Sequence, residues 1–289
     1  MTTSIDATAA GTWQLGDRTV NRMGFGAMRL MQYADGTPSD RARSIQVLRR
    51  AVELGVNHID TAAFYFSSTR SANELINSAL APYPDDLVIT TKVGPGRDPA
   101  GNFLHVHTKK ELRGQVEENI RQLGLDHLEV VNFRIGQALD RGEGSLAEGF
   151  TALAELQQEG LIRHLGISNI NADHLKEALG IAPVVCVQNQ YGLTVRREDD
   201  ALVGLCAEHG VAFVPFFAIA SGAEQQVIRD IATAHGVSEA QVRLAWTLHK
   251  GPNVLAIPGT GDPAHLEENI AAAGLRLSEE DLSRLDTIG

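Results

Sequence analysis

Short apolar segments alternate with longer amphipathic segments along most of the chain. The short ones have the length of a buried strand, and the longer ones place apolar residues three and four positions apart, as on one face of a helix. Eight strand candidates, each followed by a helix, are MGFGAM, VNHID, DLVITTKV, LEVVNF, IRHLGIS, VVCVQN, VAFVPF and NVLAIPG. This alternation predicts a parallel sheet with helices packed outside it, which is the α/β class.

The number of repeats favours one closed barrel. Eight units of about 30 residues are typical of a (β/α)8 TIM barrel. No Pro-rich or Ser-rich linker separates the units, so we predict a single domain over residues 1–289. Periodicity alone does not distinguish a closed barrel from a long open sheet, and the length by itself is also compatible with two domains.

Three further elements are predicted outside the simple repeat. The segment TWQLGDRTV, residues 12–20, has the pattern of an N-terminal β-hairpin that turns at Leu15-Gly16-Asp17. Residues 223–249 have a helical period throughout. An extra C-terminal helix is expected over residues 277–288, with Ser278 as its N-cap and acidic residues in its first turn.

Composition excludes several classes of protein. The chain is 43% hydrophobic and 21% charged, which is sufficient for a packed core and argues against disorder. Its net charge of −11 disfavours nucleic-acid and membrane partners, and no segment has the length of a membrane span or the pattern of a signal peptide. Two cysteines, Cys186 and Cys206, fit a reducing compartment. We therefore expect a cytoplasmic protein. We also expect the chain to be a monomer.

In a barrel of this type the chemistry lies at the carboxyl ends of the strands. Most of the residues expected at those ends are polar or aromatic: Asp60, Lys92, Arg134, Ser168, Asn169, Gln188, Phe216 and the turn Pro258-Gly259-Thr260. This concentration is the first indication of function.

Asp60, Tyr65 and Lys92 form a candidate acid-base set. An ammonium beside a phenol favours the phenolate, and a carboxylate orients the ammonium. A tyrosine placed in this way donates a proton to a carbonyl oxygen while hydride reaches the carbonyl carbon. Each residue also has an ordinary explanation: Asp60 as a turn cap, Lys92 in a surface ion pair and Tyr65 in loop packing. Their occurrence at successive strand ends favours the catalytic interpretation.

Other strand ends indicate a bound ligand. The glycines of MGFGAM do not continue into a dinucleotide-binding G-x-G-x-x-G motif, because Arg29 occupies the third position. Ser168, Asn169 and Gln188 have groups that bind a carboxamide, and Phe216 has a ring that stacks on a heteroaromatic face. The segment IPGTGDPAHLEEN leads from a glycine turn into a helix N-terminus, an arrangement that suits an anion. A plain turn and ordinary core packing are the alternatives.

No metal site is expected. His105 and His107 bracket Val106, but no third ligand stands near them in the sequence. The sequence contains no G-x-S-x-G, P-loop or C-x-x-C motif, and it therefore gives no indication of hydrolase or kinase activity.

The motifs NHIDTAAFY, ITTKVG, LGISN, VQNQYGL and IPGTGDPAHLEEN together resemble those of the aldo-keto reductases, from the hairpin to residue 288. The resemblance implies a barrel that binds NADPH across its C-terminal face and reduces a carbonyl without metal or flavin. The expected partner is therefore a small-molecule carbonyl substrate. Tyr65 would be the general acid, Lys92 its activator and Asp60 the partner of Lys92, with Arg134 as the fourth catalytic residue. The cofactor-binding residues predicted in this way are Gly26, Met28, Asp60, Ser168, Asn169, Gln188, Phe216, Phe217, Ile219, Gly259, Thr260, Gly261, His265, Glu268 and Asn269.

Three positions depart from the family pattern. Arg134 stands where a catalytic histidine is usual, Phe66 follows Tyr65 in place of glycine, and His265 replaces a basic residue that binds the 2′-phosphate, so NADH is possible as well as NADPH. The segments VVNFR, VPFF and AHLEEN resemble the bacterial branch that includes pyridoxal reductases. Pyridoxal, a phenol-bearing aldehyde, would suit Arg134. The alternative is a regulatory or redox-sensing module that binds NADPH with little turnover.

Overall fold

The computed structural model describes residues 5–32, 35–97, 102–105, 108–136, 139–196, 199–219 and 225–288. The predicted hairpin is confirmed: strands β1 (Thr12–Leu15) and β2 (Arg18–Asn21) pair antiparallel around Gly16, which has a φ of 66°. That left-handed conformation favours glycine at the turn.

A seven-stranded, all-parallel sheet forms most of a barrel wall. Its strands, in spatial order, are β3 (Phe25–Gly26), β4 (His58–Asp60), β5 (Val88–Val93), β8 (Leu128–Arg134), β9 (Ile162–Ser168), β10 (Val184–Gln188) and β11 (Ala212–Phe213). Two further strands, β6 (Pro95–Arg97) and β7 (Phe103–His105), form a separate antiparallel hairpin directly after β5. The sequence pattern did not predict this second hairpin.

Residues 254–256 close the wall between its two edge strands. Val254 bridges to Phe213 of β11, and Ala256 bridges to Met23, just before β3. The amide of Leu255 donates to the carbonyl of Phe213 at 2.9 Å, and the amide of Gly24 donates to the carbonyl of Ala256 at 2.8 Å. The predicted eighth strand is thus present as two isolated bridges, and the fold is the predicted (β/α)8 barrel.

Helices surround the sheet. They are α1 (Arg41–Glu53), α2 (Ala72–Leu80), α3 (Lys109–Leu123), α4 (Ala147–Gln158), α5 (Ala172–Leu179), α6 (Asp199–Glu208), α7 (Gln226–His235), α8 (Glu239–His249), α9 (Pro263–Ala271) and α10 (Glu279–Leu285). Among the described residues, no helix is both long enough and apolar enough to cross a lipid bilayer. Helix α10 is the predicted C-terminal helix, and Ser278 caps it in a capping box with Asp281.

The helical stretch predicted over residues 223–249 is two helices. Gly236 ends α7 in the left-handed conformation, with a φ of 65°, and Ser238 begins α8 with a capping box to Gln241. Residues 220–224 lie outside the described part of the chain. The two helices therefore have independent stop and start signals within three residues.

The barrel interior is layered because alternate residues of a strand face the same side. An apolar layer near the strand starts contains Val88, Val130 and Leu255, packed on Leu15 and Val20 of the hairpin. The hairpin thus covers the N-terminal end of the barrel. Two residues further along the strands, a buried polar layer follows: His58, Thr90, Asn132 and Cys186. The next inward positions carry the candidate site.

Candidate active site

The strand ends bring the predicted catalytic side chains to one end of the barrel. Asp60, Arg134 and Gln188 are the last residues of β4, β8 and β10, and Lys92 is the last but one of β5. Each follows a residue of the buried polar layer by two positions, so all four point to the same side of the wall. The periodicity of the strands is therefore what assembles the site.

Asp60 and Lys92 form a buried ion pair. The Lys92 Nζ lies 2.6 Å from the Asp60 Oδ1 and donates a second hydrogen bond to the carbonyl of Thr61 at 3.1 Å. The other Asp60 oxygen, Oδ2, accepts from the Gln188 Nε2 at 2.8 Å. The exposed fractions of the Lys92 and Asp60 side chains are only 1% and 4%. Both carboxylate oxygens are therefore engaged, and the ammonium is fixed in place.

Tyr65 lies against this pair. The Lys92 Nζ is 4.8 Å from the centre of the Tyr65 ring. Burial alone would lower the pKa of Lys92, but the Asp60 carboxylate and the Tyr65 oxygen favour the ammonium and raise that pKa. Lys92 therefore remains a cation beside the phenol, as the acid-base interpretation requires.

A turn after β4 holds Tyr65 at the mouth of the barrel. Its amide donates to the carbonyl of Ala62 at 3.0 Å, and its carbonyl accepts from the amide of Ala72, the first residue of α2, at 2.9 Å. The Phe64 ring meets the Tyr65 ring edge to face at 5.2 Å. The backbone and one aromatic neighbour thus fix the direction of the phenol.

Arg134 is a second cation at the mouth. Its guanidinium carbon lies 5.0 Å from the centre of the Phe216 ring. Burial lowers the pKa of Arg134, and the charges of Tyr65 and Asp60 oppose that change. An arginine keeps its charge under these conditions, so it donates hydrogen bonds and does not exchange protons.

A cavity of about 410 Å³ opens above these residues. This volume is in the range of small-molecule and cofactor sites. Its walls among the described residues are Gly26, Met28, Arg29, Met31, Asp60, Phe64, Tyr65, Arg97, Phe103, Arg134, Leu139, Pro215, Phe216, Phe217, Ala218, Ile219, Ile257, Pro258 and Gly259. Nine of the predicted catalytic and cofactor-binding residues line it together: Gly26, Met28, Asp60, Tyr65, Arg134, Phe216, Phe217, Ile219 and Gly259.

Ser168 and Gln188 are buried at their strand ends and each has an unused polar atom. The Ser168 Oγ and the Gln188 Oε1 have no hydrogen-bond partner among the described residues. A buried polar atom without a partner is costly, so both atoms suit a ligand that supplies a donor or acceptor. The Asn169 Nδ2, by contrast, donates to the carbonyl of Asp140 at 3.1 Å.

Two backbone positions near these residues are strained. Asn169 and Phe217 have φ values of 61° and 60°, the only positive values among the described residues other than glycines. A left-handed conformation costs a residue with a Cβ about 1–2 kcal/mol. Such positions concentrate at functional sites, and both residues are predicted cofactor contacts.

The remaining predicted residues lie on or before α9 and do not line the cavity. Thr260 is buried and its Oγ1 accepts from the Asp262 amide at 3.0 Å, while His265 is exposed. Asp262 forms an ion pair with Arg43 and caps α9. Asn269 is buried, Glu268 and Gly261 are half-buried, and the contact of these residues with the adenosine end of a cofactor remains a prediction.

Several residues of the cavity wall are not among the predicted catalytic and cofactor-binding residues: Arg29, Met31, Phe64, Arg97, Phe103, Leu139, Pro215, Ala218, Ile257 and Pro258. Arg97 and Phe103 lie on the β6–β7 hairpin, whose three-residue strands are too short for periodicity to reveal. Phe64 precedes the predicted Tyr65 directly, and this adjacency was the available signal for it. Pro258 was expected at the end of the eighth strand but was given no role.

The predicted histidine pair gives no structural information, because His107 lies outside the described residues. Within the part of the chain that is described, no three His, Cys, Asp or Glu side chains are grouped as a metal site. Cys186 and Cys206 are both buried and free of disulfides, and burial raises the pKa of the Cys186 thiol to about 12. Cys186 is therefore a poor nucleophile.

The amino-acid sequence of this chain is similar to those of known proteins. The model of the aldo/keto reductase family matches residues 22–289. A pyridoxine 4-dehydrogenase of Escherichia coli is 45% identical over 97% of this chain and 99% of its own length. An uncharacterised oxidoreductase of Schizosaccharomyces pombe is 38% identical over 99% of this chain and 92% of its own length.

Solved structures of aldo-keto reductases are similar to this chain in fold. A thermostable aldo-keto reductase crystallised with the inhibitor epalrestat superimposes with a TM-score of 0.81 at 30% identity, over 96% of this chain and 99% of that one. An aldo-keto reductase of Klebsiella pneumoniae in complex with NADPH has a TM-score of 0.76 at 27% identity, over 93% and 91% of the two chains. The chain therefore belongs to the aldo/keto reductase family and is one of its oxidoreductases.

Proposed function

We propose that this enzyme reduces an aldehyde or ketone to an alcohol with NADPH, and that Tyr65 donates the proton. The observation that carries the proposal is the buried Lys92–Asp60 pair, which holds an ammonium 4.8 Å from the centre of the Tyr65 ring. A fixed cation beside a phenol stabilises the phenolate that remains when the proton has moved. This is the chemistry that a carbonyl reduction requires of the protein.

The residues present fit a nicotinamide cofactor. The unpartnered Gln188 Oε1 would accept from the carboxamide N–H of a nicotinamide, and the Ser168 hydroxyl would donate to its carbonyl oxygen. The Phe216 ring, at the cavity wall, offers a flat face for stacking. When bound, such a cofactor supplies the hydride. The NADPH complex of the Klebsiella pneumoniae relative supports the assignment.

The protein's own residues then control the proton and the carbonyl. The Tyr65 hydroxyl donates to the substrate oxygen, and the Lys92 charge stabilises the phenolate. Asp60 and Gln188 keep Lys92 in place through the hydrogen bonds of 2.6 and 2.8 Å. Arg134 lies near enough to Tyr65 for their charges to interact, and it donates hydrogen bonds to the same substrate oxygen.

Arg134 favours an aldehyde with an anionic oxygen near the carbonyl. Pyridoxal is such a compound, because its ring phenol ionises readily. The name of the Escherichia coli relative, a pyridoxine 4-dehydrogenase at 45% identity, supports pyridoxal as the substrate. We also propose NADPH over NADH, on the evidence of the structural relatives that hold the phosphorylated form.

The test is cofactor oxidation with pyridoxal and a panel of aromatic and aliphatic aldehydes, with NADPH and NADH in parallel. We expect turnover with NADPH, and a fall in kcat of about 10²- to 10⁴-fold in Tyr65→Phe. NADPH binding by that variant, measured by fluorescence, should persist. Tight NADPH binding without turnover of any aldehyde would contradict the proposal and favour a regulatory module.

A further inference from the structure

The β6–β7 hairpin adds an arginine to the cavity wall. Arg97 and Phe103 are paired across the hairpin, and the Arg97 guanidinium carbon lies 4.5 Å from the centre of the Phe103 ring. Both residues line the same cavity as Tyr65. Because the hairpin directly follows β5, which carries Lys92, it lies on the same end of the barrel as the site.

Aromatic contacts connect this hairpin to the catalytic tyrosine. The Phe103 ring meets Phe64 edge to face at 6.3 Å, and Phe64 meets Tyr65 at 5.2 Å. None of these side chains is among the predicted cofactor contacts. Arg97 therefore belongs to the part of the cavity wall that is continuous with Tyr65, where a substrate and not the nicotinamide would lie.

Arg97 has no anionic partner among the described residues. It forms no ion pair with a described residue, and its Nε is buried without a hydrogen-bond partner. Glu111 and Glu118 line a neighbouring cavity with Arg97, but Glu111 belongs to the capping box of α3 and Glu118 binds Arg121. A half-buried cation that no described carboxylate neutralises is suited to bind an anion from solution.

Two apolar side chains that line the cavity with Arg97 are more exposed than is usual for their type. Phe103 is 46% exposed and Leu139 is 40% exposed, and both line the cavity. A ligand with an apolar ring would cover them, and an anionic group on that ring would meet Arg97. These features describe an aromatic compound with one charged substituent.

We propose that Arg97 is a specificity-determining residue that binds an anionic oxygen group on an aromatic aldehyde substrate. This inference rests on the proposed function, since it names a preference among the aldehydes reduced. Arg134 serves the carbonyl end through its position beside Tyr65, and Arg97 serves a substituent elsewhere on the ring. A guanidinium recognises a carboxylate through paired hydrogen bonds, so a carboxylate is the group chosen for the test.

The experiment compares kcat/KM for benzaldehyde with that for 2-, 3- and 4-carboxybenzaldehyde, with NADPH in excess. For at least one isomer we expect wild-type enzyme to prefer the carboxylate by about 10-fold or more, mainly through a lower KM, since a hydrogen bond to a charged group supplies that much. In Arg97→Gln, the ratio of kcat/KM for the preferred carboxybenzaldehyde to kcat/KM for benzaldehyde should fall. We expect it to reach about the value that wild type has for its least favoured isomer. Arg97→Lys keeps the charge and should retain part of the preference.

Arg284→Gln is the matched control, because Arg284 lies on α10 in an exposed ion pair with Asp230. The ratio of kcat/KM for carboxybenzaldehyde to kcat/KM for benzaldehyde should be the same in this variant as in wild type. If Arg97→Gln also loses benzaldehyde turnover, the carboxylate preference measured in Arg97→Lys decides the test: a preference below that of wild type supports the role of Arg97, and an unchanged preference contradicts it. Reduction of benzaldehyde with no carboxylate preference, or a preference that persists in Arg97→Gln, would overturn this inference alone. Failure to reduce any aldehyde would overturn the proposed function with it.

Discussion

Asp60 uses its two carboxylate oxygens for different neighbours, one for Lys92 and one for Gln188. The sequence predicted that these three residues lie at the carboxyl ends of their strands, which meet at one end of a barrel. It did not predict that Gln188 would contact Asp60 while leaving its own Oε1 unused. Side-chain rotamers decide such details, and strand periodicity carries no information about them.

The Lys92–Asp60 pair should be important for stability as well as for turnover. In Lys92→Met a buried carboxylate loses its cation, which typically costs about 3–5 kcal/mol. The double variant Asp60→Asn/Lys92→Met removes both charges and should regain much of that loss. Urea unfolding at neutral pH measures the free energy of unfolding of the single and the double variant. If Lys92→Met were as stable as wild type, the ion pair would not contribute to stability.

His58 gives stability a defined dependence on pH. Burial, the dominant cause, lowers the pKa of His58 from its ordinary 6.5 to about 4, with Asp60 opposing and Lys92 reinforcing that change. Below pH 6.5 the unfolded chain therefore binds a proton that the folded chain resists. Stability is complete above that pH and declines as the pH falls to about 4, by up to about 3 kcal/mol.

The measurement is the free energy of unfolding of wild type and His58→Gln between pH 4 and 7. Other carboxylates titrate in the same range, so the difference between the two proteins is the informative quantity. That difference should change by about 1.4 kcal/mol per pH unit near pH 5. A difference independent of pH would contradict the assignment of His58 as a buried neutral side chain.

At the scale of elements, the sequence predicted most strands and helices but not all of their limits. The eighth strand, NVLAIPG, appears as two bridges, one from Val254 to Phe213 of β11 and one from Ala256 to Met23 before β3. The β6–β7 hairpin was missed, since three residues are too few to show alternation. The helical period predicted over residues 223–249 is present in both α7 and α8. The helix itself is interrupted at Gly236, whose backbone is left-handed.

Two glycines, one just after α7 and one inside α3, offer a matched test of these boundaries. Gly236 has a φ of 65° at the end of α7, so Gly236→Ala should destabilise the protein by about 1 kcal/mol. Gly114 lies inside α3, and a Cβ built there meets nothing within 4 Å, so Gly114→Ala should stabilise it by about 0.5–1 kcal/mol. Urea midpoints measure both. Equal effects of one sign would contradict the assigned backbone conformations.

At the scale of the whole molecule, the two ends of the barrel have different roles. The N-terminal end is covered by the first hairpin, with Leu15 and Val20 packed on the apolar interior layer. The opposite end is open as the cavity, and Arg29, Arg97 and Arg134 line it while Asp60 is its one acidic residue among those described. A chain with a net charge of −11 thus has three arginines at the site where an anionic cofactor and substrate would enter.

Hydride transfer to an aldehyde is the central claim, and isotope transfer tests it most directly. The enzyme is incubated with pyridoxal and NADPH carrying deuterium at both positions of the nicotinamide C4, and the product alcohol is analysed by mass spectrometry. We predict pyridoxine with one deuterium on the new carbinol carbon, formed far more slowly by Tyr65→Phe. Unlabelled product, or no product from pyridoxal and every other aldehyde, would contradict the account.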